Sequence, residues 1–365
     1  MIDLPTTPRF LITRLSAIGD CVHTMPLVAA LRTQFPRAYI AWVTQNAGAQ
    51  VIDGLAGLDE VVVVDRNWMK RPSSIFATRN KLRSLSIDVS IDPQSLTKSS
   101  LLGWLSGARH RIGFEKGQAR ELSPWLSTTR VSAKSEHVVD RYLELLQPLG
   151  TSQSAGQSSV QFNVPTRPHA ASAIQDFLKT ISREDFALLN PGAGWNSKLW
   201  PHERYAQVAT HLKAKHNMHS IVLWAGDRER KWAEAIVSLA PDSTTLAPDT
   251  SLQELAELCR TSRLFVGSDT GPLHLAAAVG TSCVSMFGPT KPSVCGPYAT
   301  TEPTPHEALQ VRFQDGTSKQ RRGNDNSAMS EISVEMVTSA CDRVLERHKN
   351  RQEIQAFNRK KTRVA

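Results

Sequence analysis

The feature that most restricts the fold of this 365-residue chain is the alternation of short apolar runs with longer segments of helical periodicity. Apolar runs of strand length lie at residues 10–13, 39–43, 61–64, 87–91, 186–189, 220–224, 264–266 and 283–287. Helical patterns separate these runs, among them residues 22–34, 137–149, 202–216, 229–239, 252–259 and 272–279. This alternation predicts βαβ units and parallel sheets, and hence an α/β fold.

The alternation is interrupted once, by small polar residues that begin at position 151. We therefore predict a first lobe at 1–150, a linker at 151–167 and a second lobe at 168–331. A closing helix follows at 332–348 and a basic tail at 349–365, while 315–328 is predicted as loop. Ligands of open parallel sheets bind beyond the carboxyl ends of the strands, so two such lobes face to face would form a cleft.

Composition excludes several classes of protein. The chain is 40% hydrophobic and 21% charged, as in ordinary soluble proteins, and no apolar run approaches the roughly 18 residues of a membrane span. The N-terminus lacks the pattern of a secretory signal, and the five cysteines form no CxxC pair, so we expect a cytoplasmic protein without a zinc site or disulfide framework. Neither a Walker A motif nor a GxGxxG turn is present, which argues against P-loop enzymes and ordinary dinucleotide dehydrogenases.

The net charge of +9 favours an anionic partner, such as nucleic acid, a membrane surface or a phosphorylated substrate. Part of the excess lies in the last residues of the chain. A solvated tail is the default interpretation of this charge, and attraction of the tail to an anionic inner leaflet is the alternative.

The turn at residues 267–274 has the order of a strand, a tight turn and a helix start. Gly271 allows close approach of the backbone to a ligand, and the free N–H groups of a helix start form an anion site, usually for phosphate. Asp269, Thr270 and His274 would surround that anion. A well-capped turn without any ligand fits the same residues.

A second strand-to-helix turn, at residues 190–201, contains glycines and two phosphate donors, Ser197 and Lys198. A lysine is a compact charge suited to a diphosphate, although a solvated lysine is the default interpretation. Because both turns belong to the same parallel-sheet lobe, they could face one ligand.

The first lobe offers a carboxylate and a basic cluster. Asp20 lies at the first strand-to-helix junction, where it could cap the helix or act as a general base. Basic residues elsewhere in this lobe suggest an acidic second substrate, bound through arginine contacts. They are Lys70, Arg71, Arg109, His110, Arg111, Lys116 and Arg120.

Three segments in this order resemble motifs of glycosyltransferase family 9. They are residues 16–26 (SAIGDCVHTMP), 191–201 (PGAGWNSKLWP) and 268–276 (SDTGPLHLA). The family contains the ADP-heptose:lipopolysaccharide heptosyltransferases, and Gly113-Phe114, the segment 119–121 and His137 resemble the heptosyltransferase I branch.

The resemblance implies a GT-B fold, with two Rossmann-like lobes and the closing helix packed on the first of them. It implies inverting transfer from a nucleotide-sugar, expected to be ADP-heptose, without a metal or a resident cofactor. The implied acceptor is an anionic glycolipid of the Kdo–lipid A type. The protein is then expected to be a monomer in peripheral contact with the cytoplasmic face of the inner membrane, with no nucleic-acid partner.

Positions matched to the family motifs acquire expected roles. Asp20 becomes the catalytic base, and Lys198 a catalytic residue that offsets the charge of the leaving group. The donor-binding residues are expected to be Ser197, Lys198, Asp227, Asp269, Thr270, Gly271 and His274, with Asp227 in place of a family glutamate that holds the ribose. The acceptor-binding residues are expected to be Ser16, Gly19, Lys70, Arg71 and Arg120. Trp195-Asn196 departs from a Thr-rich family pattern, which leaves the donor sugar open.

Two other functions remain compatible with the sequence. One is another GT-B enzyme, either a hexosyltransferase of the same family or a nucleotide-sugar epimerase that needs no acceptor. The other is a non-enzymatic protein that binds nucleotides or polyanions, for which the basic tail is the main support.

Overall fold

The computed structural model describes residues 2–150, 160–181, 185–301 and 304–362 of the chain. The chain divides into two compact units, unit 1 (Met1–Pro165) and unit 2 (Thr166–Ala365). The division falls inside the segment predicted as a linker, whose first nine residues, 151–159, lie outside the described residues. No helix in the described part of the chain is both long and apolar enough to cross a membrane.

Unit 1 contains a six-stranded parallel sheet in the order β3-β2-β1-β4-β5-β6. Its strands are β1 (Arg9–Thr13), β2 (Tyr39–Thr44), β3 (Glu60–Val63), β4 (Val89–Ile91), β5 (His110–Phe114) and β6 (Thr129–Val131). Its helices are α1 (Ile18–Gln34), α2 (Asn46–Ile52), α3 (Pro72–Ser84), α4 (Thr97–Leu105), α5 (Ser123–Leu126) and α6 (Val138–Glu144), followed by a 3₁₀ turn at Gln147–Leu149.

Unit 2 contains a second six-stranded sheet in the order β12-β11-β10-β7-β8-β9. Its strands are β7 (Phe186–Asn190), β8 (His219–Val222), β9 (Thr244–Leu246), β10 (Leu264–Ser268), β11 (Ser282–Met286) and β12 (His306–Leu309). The helices are α7 (Pro168–Ile181), α8 (His202–His216), α9 (Gly226–Leu239), α10 (Leu252–Thr261), α11 (Gly271–Ala278), α12 (Pro292–Cys295), α13 (Ser318–Gly323), α14 (Ser327–Ser330) and α15 (Val334–Thr362), with a 3₁₀ turn at Asn196–Lys198.

Both sheets have the doubly wound order in which the first strand lies between the second and the fourth. Their central strands are buried on both faces, which is why they read as continuous apolar runs. The predicted α/β architecture of two Rossmann-like units is therefore confirmed. The strands β5, β6, β9 and β12 were not predicted, because they are short and rich in polar residues.

The closing helix α15 belongs to the core of unit 2. Val337, Cys341 and Val344 are buried against that core, and the helix contacts α8, β11 and β12. On its α8 side, Asp342 receives hydrogen bonds from His211, Lys215 and His216. Burial would raise the pKa of Asp342, but these bonds, led by that of His216, lower it to about 2.

The described apolar face of α15 is thus buried in unit 2, and packing of the helix on the first lobe stays a prediction. The helix continues beyond its predicted end at 348 to Thr362, so most of the predicted basic tail has helical backbone, while 363–365 lie outside the described residues. The segment 315–328 is likewise not all loop, because it contains α13 and the start of α14.

Candidate functional site

The turn that follows β1 places a carboxylate at the carboxyl edge of the first sheet. Asp20 is the third residue of α1, and its Oδ2 accepts the N–H of Ala17 at 3.1 Å. Its Oδ1 lies 2.6 Å from Nη2 of Arg14, and the Asp20 side chain is 42% exposed. Asp20 therefore helps to close the start of the helix and still faces solvent, so both roles weighed from the sequence are open to it.

Arg14 holds this carboxylate from a buried position. Its Nη1 donates to the carbonyl of Pro93 at 3.0 Å, and its guanidinium lies 5.3 Å from the centre of the Tyr142 ring. Burial by itself would lower the pKa of Arg14, but the charge of Asp20 raises it above its ordinary value. The arginine thus stays cationic and orients Asp20 through a charge-assisted hydrogen bond. Sequence reasoning missed Arg14, whose only signal was its place directly after β1.

The unit 1 residues with an expected acceptor role lie at the same edge of the sheet, whereas Arg109, His110 and Arg111 lie at the start of β5, at the opposite edge. Ser16 and Gly19 belong to the Asp20 turn, and Gly19 is buried. Lys70 and Arg71 are exposed between β3 and α3, with Arg71 as the N-cap of α3. Arg120 is exposed after β5. Because the strands are parallel, this edge combines a carboxylate with three exposed cations, which suits an anionic ligand that carries a hydroxyl.

In unit 2, side chains from several elements converge on Asp269 in the turn after β10. Nζ of Lys198 lies 2.6 Å from Asp269 Oδ2 and 3.0 Å from its backbone carbonyl oxygen. The Thr290 hydroxyl donates to the same Oδ2 at 2.7 Å, and His274 Nε2 lies 2.9 Å from Oδ1. The structure thereby joins three of the predicted residues, and adds Thr290, which sequence reasoning missed.

The charge of Asp269 is well compensated in this network. Its side chain is only 7% exposed, and burial would raise its pKa. The hydrogen bond from His274 and the charge of Lys198 overcome that effect and hold the pKa of Asp269 well below its ordinary range. A carboxylate so fully engaged is suited to positioning Lys198 and His274 rather than to moving a proton itself.

The start of α11 keeps the features of an anion site. Thr270 is its N-cap, but the hydroxyl donates to the carbonyl of Ser268 at 3.2 Å and accepts from the amide of Asn190 at 3.2 Å. It therefore makes no side-chain cap of the helix that begins at Gly271. The first amides of α11 and the positive end of its dipole are thus directed at the turn, as the sequence predicted.

Two predicted donor residues are placed differently from expectation. Ser197 is fully buried, and its hydroxyl has no hydrogen-bond partner among the described residues. Asp227 is exposed near the start of α9, two residues before the half-buried Glu229. The Glu229 carboxylate accepts the N–H of Ala225 at 3.0 Å and lies where a Cβ on Gly192 would be. Burial raises the pKa of Glu229.

Two arginines that sequence reasoning passed over lie at the loop after β7. The guanidinium of Arg322 is 4.8 Å from the centre of the Trp195 ring, and Lys198 Nζ is 4.6 Å from the same centre. Arg228 donates to the side chain of Asn196 at 2.8 Å. Arg322 comes from α13, inside a segment predicted as loop, so no local pattern placed it here. Three cations around one loop favour an anionic ligand.

Sequence comparison finds similarity both to a family model and to individual known proteins. A family model described as glycosyltransferase family 9 (heptosyltransferase) matches residues 75–320. Lipopolysaccharide heptosyltransferase 1 of Escherichia coli K12 is 27% identical over 307 residues, which cover 80% of this chain and 92% of that protein.

Two solved structures show the fold. A family 9 glycosyltransferase from Veillonella parvula DSM 2008 has a TM-score of 0.80 at 22% identity and covers 95% of this chain and 99% of its own. The E. coli heptosyltransferase WaaC with ADP has a TM-score of 0.74 at 23% identity, with coverage of 92% and 99%. At these identities the likeness speaks for the fold, and the predicted GT-B class is confirmed.

Proposed function

Because the chain belongs to glycosyltransferase family 9, it is a sugar-transferring enzyme, and we propose that it moves a heptose from ADP-heptose to the Kdo and inner-core region of lipopolysaccharide. Curated relatives named as lipopolysaccharide heptosyltransferases support heptosyl transfer to the lipopolysaccharide core. The observation that carries the proposal is the Lys198–Asp269–His274 network beside the start of α11.

On the donor side, this network would receive the diphosphate. Lys198 and the first amides of α11 supply positive charge where the leaving group gains negative charge, and Asp269 holds Lys198 in position. We propose that Glu229, rather than Asp227, receives the ribose hydroxyls, because its carboxylate lies against the glycine loop at Gly192. The solved structure of the E. coli heptosyltransferase WaaC with ADP supports an adenine nucleotide.

On the acceptor side, Asp20 would act as the general base. Its carboxylate is fixed by Arg14 and by the N–H of Ala17, and it remains exposed. Lys70, Arg71 and Arg120 offer charge for the acidic groups of the acceptor. Ser16 and Gly19 line the same turn.

The proposed step is a single displacement with inversion. An acceptor hydroxyl gives its proton to Asp20 as its oxygen forms a bond to the anomeric carbon of the heptose. The bond from that carbon to the diphosphate breaks on the opposite face, and its electron pair leaves with ADP. Positioning and preorganised charge supply the rate enhancement.

We also propose that transfer needs neither a catalytic metal nor a resident cofactor. The cations around the donor loop, Lys198, Arg228 and Arg322, supply charge that a divalent ion would otherwise provide. Turnover is then expected to persist in EDTA. Restoration of lost activity by one divalent metal would contradict this part of the proposal.

The expected partners follow from the acceptor. We propose a monomer that works on a Kdo–lipid A type glycolipid at the cytoplasmic face of the inner membrane, in peripheral contact with the bilayer. Size-exclusion chromatography with light scattering tests the monomer, and fractionation of cells tests the location.

The deciding experiment supplies the purified protein with ADP-heptose and a Kdo–lipid A acceptor. Turnover is measured by the release of ADP and by the mass of the product. ADP-hexoses, UDP-sugars and GDP-sugars serve as competing donors, and a thermal-shift screen of the same nucleotides reports binding alone. Transfer from an ADP-hexose only would revise the donor sugar. Conversion of the nucleotide-sugar without acceptor would replace the transferase by an epimerase.

A further inference from the structure

The short helix α5 buries its serine and exposes its tryptophan. Ser123 and Pro124 are buried, whereas Trp125 is 74% exposed and the preceding Leu122 is 59% exposed. The buried hydroxyl oxygen of Ser123 lies 2.6 Å from that of Ser100 of α4. The helix thus buries a hydroxyl group while it places a large aromatic side chain in solvent.

Helix α4 also exposes a tryptophan and buries two serines, while its Leu102 and Leu105 lie in the core. Ser99 and Ser100 are buried and both donate to the carboxylate of Asp92, while Trp104 is exposed. Burial raises the pKa of Asp92. The segment before α5 is tied to α4 as well, because Glu121 accepts the N–H of Thr97 at 3.0 Å. A buried polar network therefore fixes the outward placement of both tryptophans.

Neighbouring helices extend this surface. Helix α3 packs against α4, and α4 packs against α5. Helix α3 adds Phe76, and the turn before it adds Met69, both exposed. We call these residues the aromatic face of unit 1: Met69, Phe76, Trp104, Leu122 and Trp125.

Positive charge is concentrated in the same part of the chain. Residues 66–130 contain twelve Lys and Arg against four Asp and Glu, an excess of eight, while the whole chain has a net charge of +9. Three of the four acids are engaged, since Asp92 is buried, Asp88 accepts the N–H of Arg9 at 2.8 Å and Glu121 accepts that of Thr97. Exposed cations of the segment include Arg66, Lys70, Arg71, Arg83, Arg109, Lys116 and Arg120.

We propose that the aromatic face docks unit 1 on the surface of a bilayer that contains anionic lipids. Tryptophan and other aromatic side chains favour the headgroup region of membranes. Each basic residue near an anionic leaflet strengthens attachment by about fivefold. Packing of the face against a second copy of the chain would bring two positive surfaces together, which disfavours self-association.

This docking specifies which surface would make the membrane contact of the proposed function. Its biological purpose rests on that function. It assigns the contact to the aromatic face instead of the C-terminal tail, for which the sequence left attraction to a membrane open. Vesicle binding needs neither donor nor acceptor, so it succeeds or fails independently of sugar transfer.

The test is flotation of the full-length chain with vesicles of phosphatidylcholine containing 30% phosphatidylglycerol, alongside pure phosphatidylcholine vesicles, at 0.1 M NaCl. We expect binding to the anionic vesicles, weakened at 0.5 M NaCl, with a blue shift of tryptophan fluorescence. The double variant Leu122→Ser/Trp125→Ser should bind at least tenfold more weakly. Because both side chains are exposed, its melting temperature should stay near that of the wild type.

Two control variants separate this face from other surfaces. Leu239→Ser changes an exposed leucine of unit 2 and should leave vesicle binding within twofold of the wild type. Arg359→Gln/Lys360→Gln/Lys361→Gln removes charge from the tail and should weaken binding less than the double variant does. Equal vesicle binding by wild type and double variant overturns the proposal. So does a concentration-dependent dimer that the double variant abolishes, because the face would then be an interface between copies.

Discussion

The two units have the same strand order, and each places an aspartate after a central strand. The two aspartates nevertheless differ in exposure and in the number of their hydrogen-bond partners. Asp20 in unit 1 has one buried cationic partner and an exposed carboxylate. Asp269 in unit 2 is buried and receives hydrogen bonds from Lys198, Thr290 and His274.

This difference shows that the same place in one fold can hold a carboxylate suited to proton transfer or a carboxylate that positions its neighbours. A carboxylate that keeps contact with solvent can exchange a proton with a bound hydroxyl. A buried carboxylate whose two oxygens both accept hydrogen bonds instead holds the groups around it in position. The fold supplies the same location in each unit, and the side chains nearby decide which role follows.

The largest expected effect comes from removing the proposed base. Asp20→Asn should lower kcat by about 10²- to 10⁴-fold, because general-base assistance is lost. The melting temperature should fall, because the buried Arg14 loses its charged partner, but by less than in Asp269→Asn, since Asp20 is 42% exposed and asparagine also serves near helix starts. ADP release under saturating substrates measures the change.

The matched control for Asp20 is Glu254→Gln. Glu254 accepts the N–H of Ser251 in the capping box of α10, so it shares the helix-start role without the proposed chemistry. It should leave turnover unchanged. Near-normal turnover of Asp20→Asn would reduce Asp20 to a helix cap and remove the contrast between the two aspartates.

Asp269→Asn should act on stability. Replacing a buried charge leaves Lys198 without its carboxylate, and loss of one partner of a buried ion pair costs about 3–5 kcal/mol of unfolding free energy. Urea unfolding followed by circular dichroism measures this cost. Asp185→Asn, which breaks the exposed pair with Arg263, should cost no more than about 1 kcal/mol. Equal costs for the two variants would contradict the positioning role.

Lys198→Met should weaken both catalysis and folding, because it leaves the buried Asp269 carboxylate without its cationic partner. We expect kcat/KM for the donor to fall by about 10²- to 10³-fold, the usual effect of removing one charge-stabilising donor. Isothermal titration with ADP separates binding from chemistry. Lys179→Met, in an exposed pair with Asp176, provides the control. If ADP binding and turnover both stay at wild-type values, Lys198 serves only to neutralise Asp269.

The pH dependence of stability distinguishes the two aspartates further. Because the folded pKa of Asp269 is depressed, its contribution is present above the ordinary aspartate pKa of about 3.9 and is lost as the pH falls below that value. The difference in unfolding free energy between wild type and Asp269→Asn should therefore shrink as the pH is lowered from about 5 to 3. A difference that stays constant over that range would argue against a depressed pKa.

The smallest expected effect concerns Arg322. As an exposed cation beside Trp195, it should contribute a few-fold to donor affinity, the scale of an exposed cation–π contact and a screened charge. Arg322→Gln should raise the donor KM by about two- to fivefold at low salt, and less at 0.5 M NaCl. Arg230→Gln, which is paired with Glu234, is the control. A salt-independent effect would indicate a packing role instead.

Sequence patterns predicted the central strands of both sheets but missed polar strands at their edges. The runs that became β1, β2, β7, β10 and β11 are largely apolar, because both faces of these strands are buried. Polar edge strands such as β6 and β9 carry no such signal, since their identity depends on the neighbour that they pair with. The packing of α15 was likewise not readable, because an amphipathic helix does not specify which core it covers.

The residues of the candidate site likewise fall into those that the sequence revealed and those that it did not. Asp20, Lys198, Asp269, Thr270 and His274 could be found because strand-to-helix turns are local in sequence. Arg14, Thr290, Glu229 and Arg322 could not, because their relevance comes from contacts with residues distant in the chain.

The sequence by itself determined that the chain forms two parallel-sheet units with polar turns at the ends of their strands. Burial and periodicity act within short segments, which is why they can be read directly. Only the tertiary structure decided that Asp269 is enclosed by donors while Asp20 faces solvent. It also decided that the serines of α4 and α5 face inward and their tryptophans outward. Exposure and pairing depend on all the elements that surround a side chain, and no local pattern contains that information.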